Sequence, residues 1–415
     1  ETGGQNVMIV DSTALPEQVV DEVITSAFQS AGQRCSALRV LYLQEEIADS
    51  VISMIIGAMQ ELIIGDPTFL NTDIGPLIDE IALTRLNDHI QYLSSLGPKA
   101  NCLHSLTISE SLNGYYFPPK LYEIDDVSLL KEEVFGPIVH IKRFKAKHLD
   151  RVVDEINQSG YGLTLGIHSR IQSISGEIAN RAKVGNIYIN RNMIGAVVGV
   201  QPFGGRGLSG TGPKAGGPSY LTKLMKKDDR LTSKNIQSSE KAIQLFEADE
   251  NKQAFFDSQL LGKAQMYWAS TDIYQRVSVI RRVLANLSKD NYASKFSLIP
   301  KEDLERFVSE TELLITSANK LAPLNLPGPT GESNILSYEA KGILALLWEE
   351  GMPNWRLLLN AFTALLAGNS IIMVTDSSNV DLTACQQLFV QSGLPEQVIS
   401  SSENGNVTLR NELIV

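Results

Sequence analysis

Two residues near the start of the chain have the chemistry of a nucleophile and a base. Cys35 lies in the run Gly-Gln-Arg-Cys-Ser at 32–36. A thiol in a loop beside a cation ionises at lower pH, so Arg34 favours the reactive thiolate of Cys35. Glu1 opens the run Glu-Thr-Gly-Gly, where a carboxylate on a glycine turn can move a proton to or from water. A buried structural cysteine and an exposed glutamate without function are the alternatives.

A third chemical feature is a glycine-dense segment between about 195 and 218. It contains the run Gly-Gly-Arg-Gly-Leu-Ser-Gly-Thr-Gly at 204–212. Backbone N–H groups in such a loop can bind an anion, and Ser209 beside Gly210 adds a hydroxyl. A phosphate-binding P-loop is disfavoured because Thr211 stands where that motif needs a lysine. Glycines that serve only tight turns are the alternative.

Neither a metal site nor a disulfide framework is indicated. The five histidines are scattered, and Cys102 with His104 lacks a second pair at the spacing of zinc ligands. The three cysteines, which include Cys35 and Cys385, are far apart, and this favours a reducing cytoplasm. The longest apolar runs are far shorter than the roughly 20 residues that cross a bilayer, so we expect no transmembrane segment.

The composition describes a folded, acidic protein. Of the 415 residues, 43% are hydrophobic and 20% are charged, which suits a packed core and two or three domains. The formal net charge of −11 disfavours a nucleic-acid partner, because phosphate binding needs clustered cations. The chain opens on Glu1 instead of Met and carries no signal-like segment, so we expect a piece of a longer protein.

The elements that must position Cys35 alternate between strand and helix. Residues 6–10 predict a short strand, and a helical face begins near Pro16. Residues 38–43 predict a second strand and residues 46–63 a second helix. This alternation predicts an α/β fold with a mainly parallel sheet covered by helices.

A change in composition divides the chain into two domains. We expect a first domain at 1–226, a polar linker at 227–239 and a second domain at 240–415. In the second domain, residues 240–320 predict amphipathic helices, and a turn-rich run at 327–332 leads into another strand–helix alternation. Strands are predicted at 342–347 and 370–374, and helices at 355–366 and 382–389.

Five motifs occur in an order and at a spacing that resemble the aldehyde dehydrogenase superfamily. They are Glu-Thr-Gly-Gly-Gln at 1–5, Gly-Gln-Arg-Cys at 32–35, Lys-Glu-Glu-Val-Phe-Gly-Pro at 131–137, Tyr-Gly-Leu at 161–163 and Pro-Phe-Gly-Gly at 202–205. The resemblance covers residues 1 to about 226. The runs at 32–39, 200–205 and 209–218 are most similar to the proline utilization A family, bacterial enzymes that join proline dehydrogenase to L-glutamate γ-semialdehyde dehydrogenase.

The resemblance implies a role for each motif residue. Cys35 would attack the aldehyde carbon, and the resulting thiohemiacetal would expel hydride to NAD and leave a thioester. Glu1 would activate the water that releases the acid, while the backbone N–H of Cys35 would help to hold the oxyanion. Glu133 matches the residue that binds the nicotinamide ribose, and Phe135 matches the residue that lies beside the nicotinamide.

The resemblance also implies a substrate and partners. Ser36, Ser209 and Gly210 lie where this subfamily holds the carboxylate of glutamate semialdehyde. An upstream proline dehydrogenase domain with FAD, a homo-oligomer and a cytoplasmic location are implied, with the full-length protein peripheral at the inner membrane. An aldehyde dehydrogenase for another aldehyde and a non-catalytic scaffold with an inert Cys35 are the alternative functions.

The resemblance places most of the dinucleotide-binding domain before the catalytic glutamate. We therefore expect the chain as given to bind NAD weakly or not at all and to be inactive alone. The run Ala-Gly-Asn at 367–369 resembles the same family, but Val374 and Gly351 stand where the ribose-binding lysine and the oxyanion asparagine belong. Residues 240–415 are thus expected to form a non-catalytic relative with an assembly or lid role. A vestigial ligand pocket is the alternative.

Overall fold

The computed structural model describes residues 3–225, 253–287, 299, 301–348, 353–375, 382–402 and 406–410. The chain divides into two compact units, Glu1–Met225 and Lys226–Val415. The expected linker at 227–239 and the candidate base Glu1 lie outside the described residues. No helix of the described part is both long and apolar enough to cross a membrane.

The first unit is built on a seven-stranded sheet in the order β3-β4-β5-β2-β1-β7-β8. All neighbours are parallel except β3 and β4. The strands are β1 (Val7–Val10), β2 (Val40–Gln44), β3 (Ala100–Ser105), β4 (Lys120–Ile124), β5 (Ile138–Phe144), β7 (Thr164–His168) and β8 (Asn186–Ile189). A short antiparallel pair is formed by β6 (Tyr161–Gly162) and β9 (Arg206–Gly207). The predicted α/β fold with a mainly parallel sheet is confirmed.

Helices cover this sheet and make its central strands inaccessible to water. They are α1 (Pro16–Phe28), α2 (Glu45–Gln60), α3 (Glu80–Ser95), α4 (Leu149–Gln158), α5 (Gln172–Arg181) and the short α6 (Leu221–Leu224). Every residue of β1, β2 and β7 is buried, as expected for parallel strands that are covered on both faces. The antiparallel edge strand β3 is partly exposed, and its mixed polar sequence gave no strand prediction.

Four chain segments reach the same edge of the sheet, where the parallel strands begin. Val7 of β1 pairs with Val40 of β2 and Leu165 of β7, and Val40 pairs with His140 of β5. The segments that lead into these strands therefore lie side by side. They carry the motifs at 3–6, 32–39, 131–137 and 161–163, and we call this region the amino edge of the sheet.

The second unit contains small sheets and its own apolar core. β13 (Ile343–Trp348), β14 (Ser370–Thr375) and β15 (Ile399–Ser402) form a parallel sheet; β10 (Gln253–Asp257) pairs with β16 (Asn406–Arg410), and β11 (Leu324–Leu326) with β12 (Asn334–Leu336). The helices are α7 (Ser258–Ser270), α8 (Ile273–Leu287), α9 (Lys301–Ala318), α10 (Asn354–Leu366) and α11 (Leu382–Gln391). Phe362 and Phe389 lie at the centre of the core.

The predictions for the second unit are mostly confirmed. The strands expected at 342–347 and 370–374 are β13 and β14, and the helices expected at 355–366 and 382–389 are α10 and α11. Strand β10 was not predicted, and the turn-rich run at 327–332 joins the strands of a hairpin. Val374 is a buried strand residue with 3% exposure, and Gly351 lies outside the described residues.

Candidate active site

The loop that carries Cys35 is fastened to the sheet by one asparagine. Asn6 is buried just before β1, and its Nδ2 donates to the carbonyl oxygens of Cys35 (2.6 Å) and Ala37 (2.9 Å). Its Oδ1 accepts from the backbone N–H of Thr164 at 3.2 Å, at the start of β7. Asn6 therefore fixes the backbone of the candidate nucleophile, while the Cys35 side chain remains partly accessible.

The turn before Cys35 has an unusual backbone. Ser30, Ala31 and Gly32 have φ values of 56°, 52° and 66°, a left-handed conformation that costs about 1–2 kcal/mol for each residue with a side chain. A Cβ on Gly32 would lie 2.4 Å from the carbonyl oxygen of Gly136. The turn thus brings the cysteine loop into direct contact with the loop at 133–136, and only glycine permits this approach.

A buried arginine at the head of β2 binds the cysteine loop. Arg39 is 1% exposed, and its terminal nitrogens donate to the carbonyl oxygens of Gly32 (2.7 Å) and Arg34 (3.0 Å). Burial lowers the pKa of Arg39, while interactions with Glu133 and Cys35 oppose the shift. A positive charge inside the protein therefore binds the backbone of the cysteine loop.

The same guanidinium binds the loop at 133–136. Arg39 donates to the carbonyl oxygen of Gly136 at 3.2 Å and to Oε1 of Glu133 at 3.3 Å. Its Cζ lies 5.1 Å from the ring centroid of Phe135, within the range of a cation–π contact. Two loops that the sequence places about 100 residues apart are therefore joined through one side chain.

Glu133 is held from two sides. Its Oε1 accepts from Arg39, and its Oε2 accepts from the backbone N–H of Gly4 at 3.1 Å. A carboxylate has about four acceptor positions, and the Glu133 side chain keeps 15% exposure. Glu133 can therefore accept hydrogen bonds from a sugar hydroxyl without giving up its protein partners. The neighbouring ring of Phe135 is 43% exposed and offers an apolar face.

The two predicted substrate serines are connected through one short segment. Ser36 is buried, and its carbonyl oxygen accepts from Oγ1 of Thr164 at 3.3 Å. Ser209 has no exposed surface, and its hydroxyl oxygen accepts from the backbone N–H of Gly162 at 3.0 Å. The hydroxyl of Ser209 thus has a structural partner, whereas Gly210 beside it is partly exposed. Their roles toward a substrate stay predictions.

Arg34, the cation expected to act on Cys35, bonds to a serine of the same turn. Its Nε donates to Oγ of Ser30 at 3.1 Å in an exposed pair. The sequence reasoning missed Arg39 and Asn6. Both are polar residues at the head of apolar runs, at 38–43 and 6–10, and that position is a signal for a buried polar group that must find partners.

The buried His140 supports the carbonyl group of Arg39, and the partly buried His89 lies against His140. Nδ1 of His140 lies 3.0 Å from that oxygen, and Nε2 of His140 lies 2.9 Å from Nε2 of His89. Burial lowers the pKa of His140 to about 3 and that of His89 to about 4, so both rings are neutral near pH 7. No cluster of three or more metal-binding side chains occurs within the part of the chain that the structure describes.

A family model for the aldehyde dehydrogenase family matches residues 1–228, more than half of the chain. The chain therefore belongs to the aldehyde dehydrogenase family. Over 228 residues it is 56% identical to the bifunctional protein PutA of Klebsiella aerogenes, a match that covers 54% of this chain and 17% of that protein. It is 34% identical over 223 residues to 1-pyrroline-5-carboxylate dehydrogenase of Geobacillus sp. (strain WCH70), which covers 53% of this chain and 42% of the relative.

Solved structures give the same result. The crystal structure of a bifunctional proline utilization A (PutA) protein matches with 55% identity and a TM-score of 0.52, over 54% of this chain and 22% of that chain. A 1-pyrroline-5-carboxylate dehydrogenase from Thermus, solved with bound NAD, matches with 30% identity and a TM-score of 0.50 over 55% of this chain. Each of these matches spans less than half of the relative's own length.

Proposed function

We propose that this chain is the C-terminal portion of a bifunctional enzyme of proline catabolism, and that its first unit oxidises L-glutamate γ-semialdehyde to L-glutamate with NAD. The observation that carries the proposal is the meeting of the loop of Cys35 with the loop of Glu133 and Phe135 at the amino edge of the sheet. Sequence identity of 52–56% to four PutA proteins supports the choice of substrate.

The residues at this edge suit NAD in their chemistry. When bound, NAD supplies the acceptor for the hydride that leaves the aldehyde carbon. Glu133 would bind hydroxyls of the nicotinamide ribose through its remaining acceptor positions, and the exposed ring of Phe135 would pack beside the nicotinamide. The family relative from Thermus was solved with NAD, which supports this cofactor.

In this proposal Cys35 acts as the nucleophile. Its sulfur bonds to the aldehyde carbon and the carbonyl π-electrons move to oxygen, where the backbone N–H of Cys35 donates a hydrogen bond. Loss of hydride re-forms the carbonyl as a Cys35 thioester. Glu1 then removes a proton from water, which attacks the thioester carbon and releases glutamate and the thiolate. Ser36, Ser209 and Gly210 are proposed to hold the substrate carboxylate.

The wider organisation is proposed on the same basis. We assign residues 1–226 to the catalytic domain and residues 240–415 to a non-catalytic relative with an assembly or lid role. The apolar, buried Val374 supports this assignment, because it cannot replace a ribose-binding lysine. An upstream proline dehydrogenase domain with FAD, a homo-oligomer and a cytoplasmic location, peripheral at the inner membrane, complete the proposal.

The test is NADH formation by the full-length natural protein supplied with L-glutamate γ-semialdehyde. Cys35→Ser should lower kcat by roughly 10³-fold or more, because the thiolate is lost. Cys102→Ser, at an exposed position on β3, is the matched control and should leave the rate unchanged. Equal rates for Cys35→Ser and the wild type would refute the proposed nucleophile.

The same assay separates the proposed substrate from another aldehyde. Pentanal has a chain of the same length without the amino-acid group, so an enzyme that binds the carboxylate should prefer the semialdehyde strongly in kcat/KM. Ser36→Ala should raise KM for the semialdehyde and leave KM for pentanal unchanged, because only the semialdehyde has a carboxylate that Ser36 can bind. A preference for pentanal would assign the chain to a different aldehyde.

A further inference from the structure

We infer that Arg39 is a positioning residue that fixes the loop of Cys35 and the loop of Glu133 and Phe135 relative to each other. The inference deepens the proposed function, on which it rests, because it names the side chain that aligns the nucleophile with the group at the nicotinamide end of the cofactor. Arg39 itself is buried and acts on the substrate and the cofactor only through these two loops.

The geometry requires a planar fork. One terminal nitrogen of Arg39 donates to a carbonyl oxygen of each loop, at Gly32 and Gly136. The other terminal nitrogen again donates to both loops, at the Arg34 carbonyl and the Glu133 carboxylate. Each nitrogen thus spans the two loops, and four bonds share one rigid group. A lysine ammonium has three donors on a flexible stem and cannot reproduce this fork.

Burial makes the arrangement sensitive to its partners. Arg39 is 1% exposed, and Glu133 is the carboxylate that pairs with it among the described residues. Nε of Arg39 has no hydrogen-bond partner in that part of the chain, so the terminal nitrogens hold the group in place. Breaking a buried charge pair leaves an uncompensated charge. A change at Arg39 or at Glu133 should therefore loosen the attachment that the two loops share.

The consequence is a coupling between two parts of the proposed reaction. Reacting atoms must meet at about 3–3.5 Å, and a misplacement of about 1 Å can cost 10²-fold in rate. A change at Arg39 should therefore alter both the setting of Cys35 and the contact of Glu133 with the cofactor. Arg34, whose side chain bonds to Ser30 at the surface, is the competing candidate for the cation that serves Cys35.

The first experiment measures alkylation of Cys35 by iodoacetamide in the full-length protein, read from the peptide that contains it. The exposed Cys102 reports the intrinsic rate in the same sample. Arg39→Lys should lower the ratio of the Cys35 rate to the Cys102 rate by about tenfold, and Arg34→Gln should change it less than twofold. The reverse order would overturn the inference. This readout needs neither substrate nor NAD, so it stands apart from the proposed function.

The second experiment is a double-mutant cycle on KM for NAD with Arg39→Lys, Glu133→Gln and the combined variant. If Arg39 acts through Glu133, the double variant should show no larger increase in KM than Glu133→Gln alone. Independent, additive increases would mean that Arg39 only supports the fold and would overturn the inference. Thermal unfolding identifies variants that fail to fold. If Arg39→Lys does, Glu133→Gln, which removes the ion pair with Arg39, takes its place in the alkylation experiment, and an unchanged ratio of the Cys35 rate to the Cys102 rate would then overturn the inference.

Discussion

Replacing Asn6 with alanine should destabilise the first unit and release the loop of Cys35. The substitution removes hydrogen bonds to the carbonyl oxygens of Cys35 and Ala37 and from the N–H of Thr164. The Ala37 and Thr164 bonds are buried, and a buried polar group without a partner costs about 1–3 kcal/mol. The expected loss in the free energy of unfolding is therefore about 4 kcal/mol, a large share of the stability of an ordinary domain.

Urea denaturation measures that loss, and the dehydrogenase assay measures its consequence for the site. At a urea concentration low enough for Asn6→Ala to remain folded, its kcat should be at least about tenfold below that of the wild type, because the Cys35 backbone is no longer fixed. The matched control is Asn157→Ala. Asn157, on α4, also joins two segments, because its side chain donates to the carbonyl oxygen of Arg181 and accepts from the backbone N–H of Lys183, and none of these residues belongs to the motifs of the candidate active site.

The control variant should lose about 1 kcal/mol of stability and keep its kcat. If Asn6→Ala lowered stability and left kcat unchanged, Asn6 would support the fold without positioning Cys35. If Asn6→Ala changed neither quantity, the three hydrogen bonds would not matter to the protein, and the account of how the cysteine loop is fastened would be wrong.

Three further predictions concern groups near the site. The pKa values of His89 and His140 are lowered to about 4 and about 3, so the unfolded state binds more protons than the folded state below pH 6.5. The free energy of unfolding should therefore fall by about 2 kcal/mol or more from pH 7 to pH 5. Urea titrations that give the same free energy at both pH values would contradict this. Ser209→Ala leaves the buried N–H of Gly162 without its acceptor and should cost about 1–3 kcal/mol in the same titration, whereas an unchanged midpoint would argue against that bond. Gly32→Ala places a Cβ 2.4 Å from the carbonyl oxygen of Gly136. The variant should lose at least about 1–2 kcal/mol in the free energy of unfolding, which lowers the thermal unfolding midpoint by several degrees. A midpoint equal to that of the wild type would show that the loops do not approach so closely.

The fold was predictable where local sequence decides it. The apolar run of β1 and the amphipathic face that begins at Pro16 gave a strand and a helix within one or two residues of their bounds. Strand β10 was missed because its pairing partner β16 lies about 150 residues further along the chain. Pairing at that separation is set by the tertiary fold and leaves little trace in a local pattern.

The candidate site was predictable only in part, and for a physical reason. Cys35, Glu133 and Phe135 stand in short motifs, and motifs are read from neighbouring residues. The roles of Arg39 and Asn6 depend on partners in distant segments, such as Glu133 and Thr164, and no local pattern specifies them. Arg34 was favoured as the cation near Cys35 because it is adjacent in sequence. Its guanidinium bonds to Ser30, and its effect on Cys35 stays a prediction.

The central claim is that Cys35 carries the substrate as a thioester, and mass spectrometry of the reacting protein tests it most directly. The full-length protein is mixed with L-glutamate γ-semialdehyde and NAD, quenched in acid within the first turnover and digested. We expect the mass of a glutamyl group on the peptide that contains Cys35 and none on the peptide that contains the exposed Cys102. NADH formation without an adduct on Cys35 would contradict the claim.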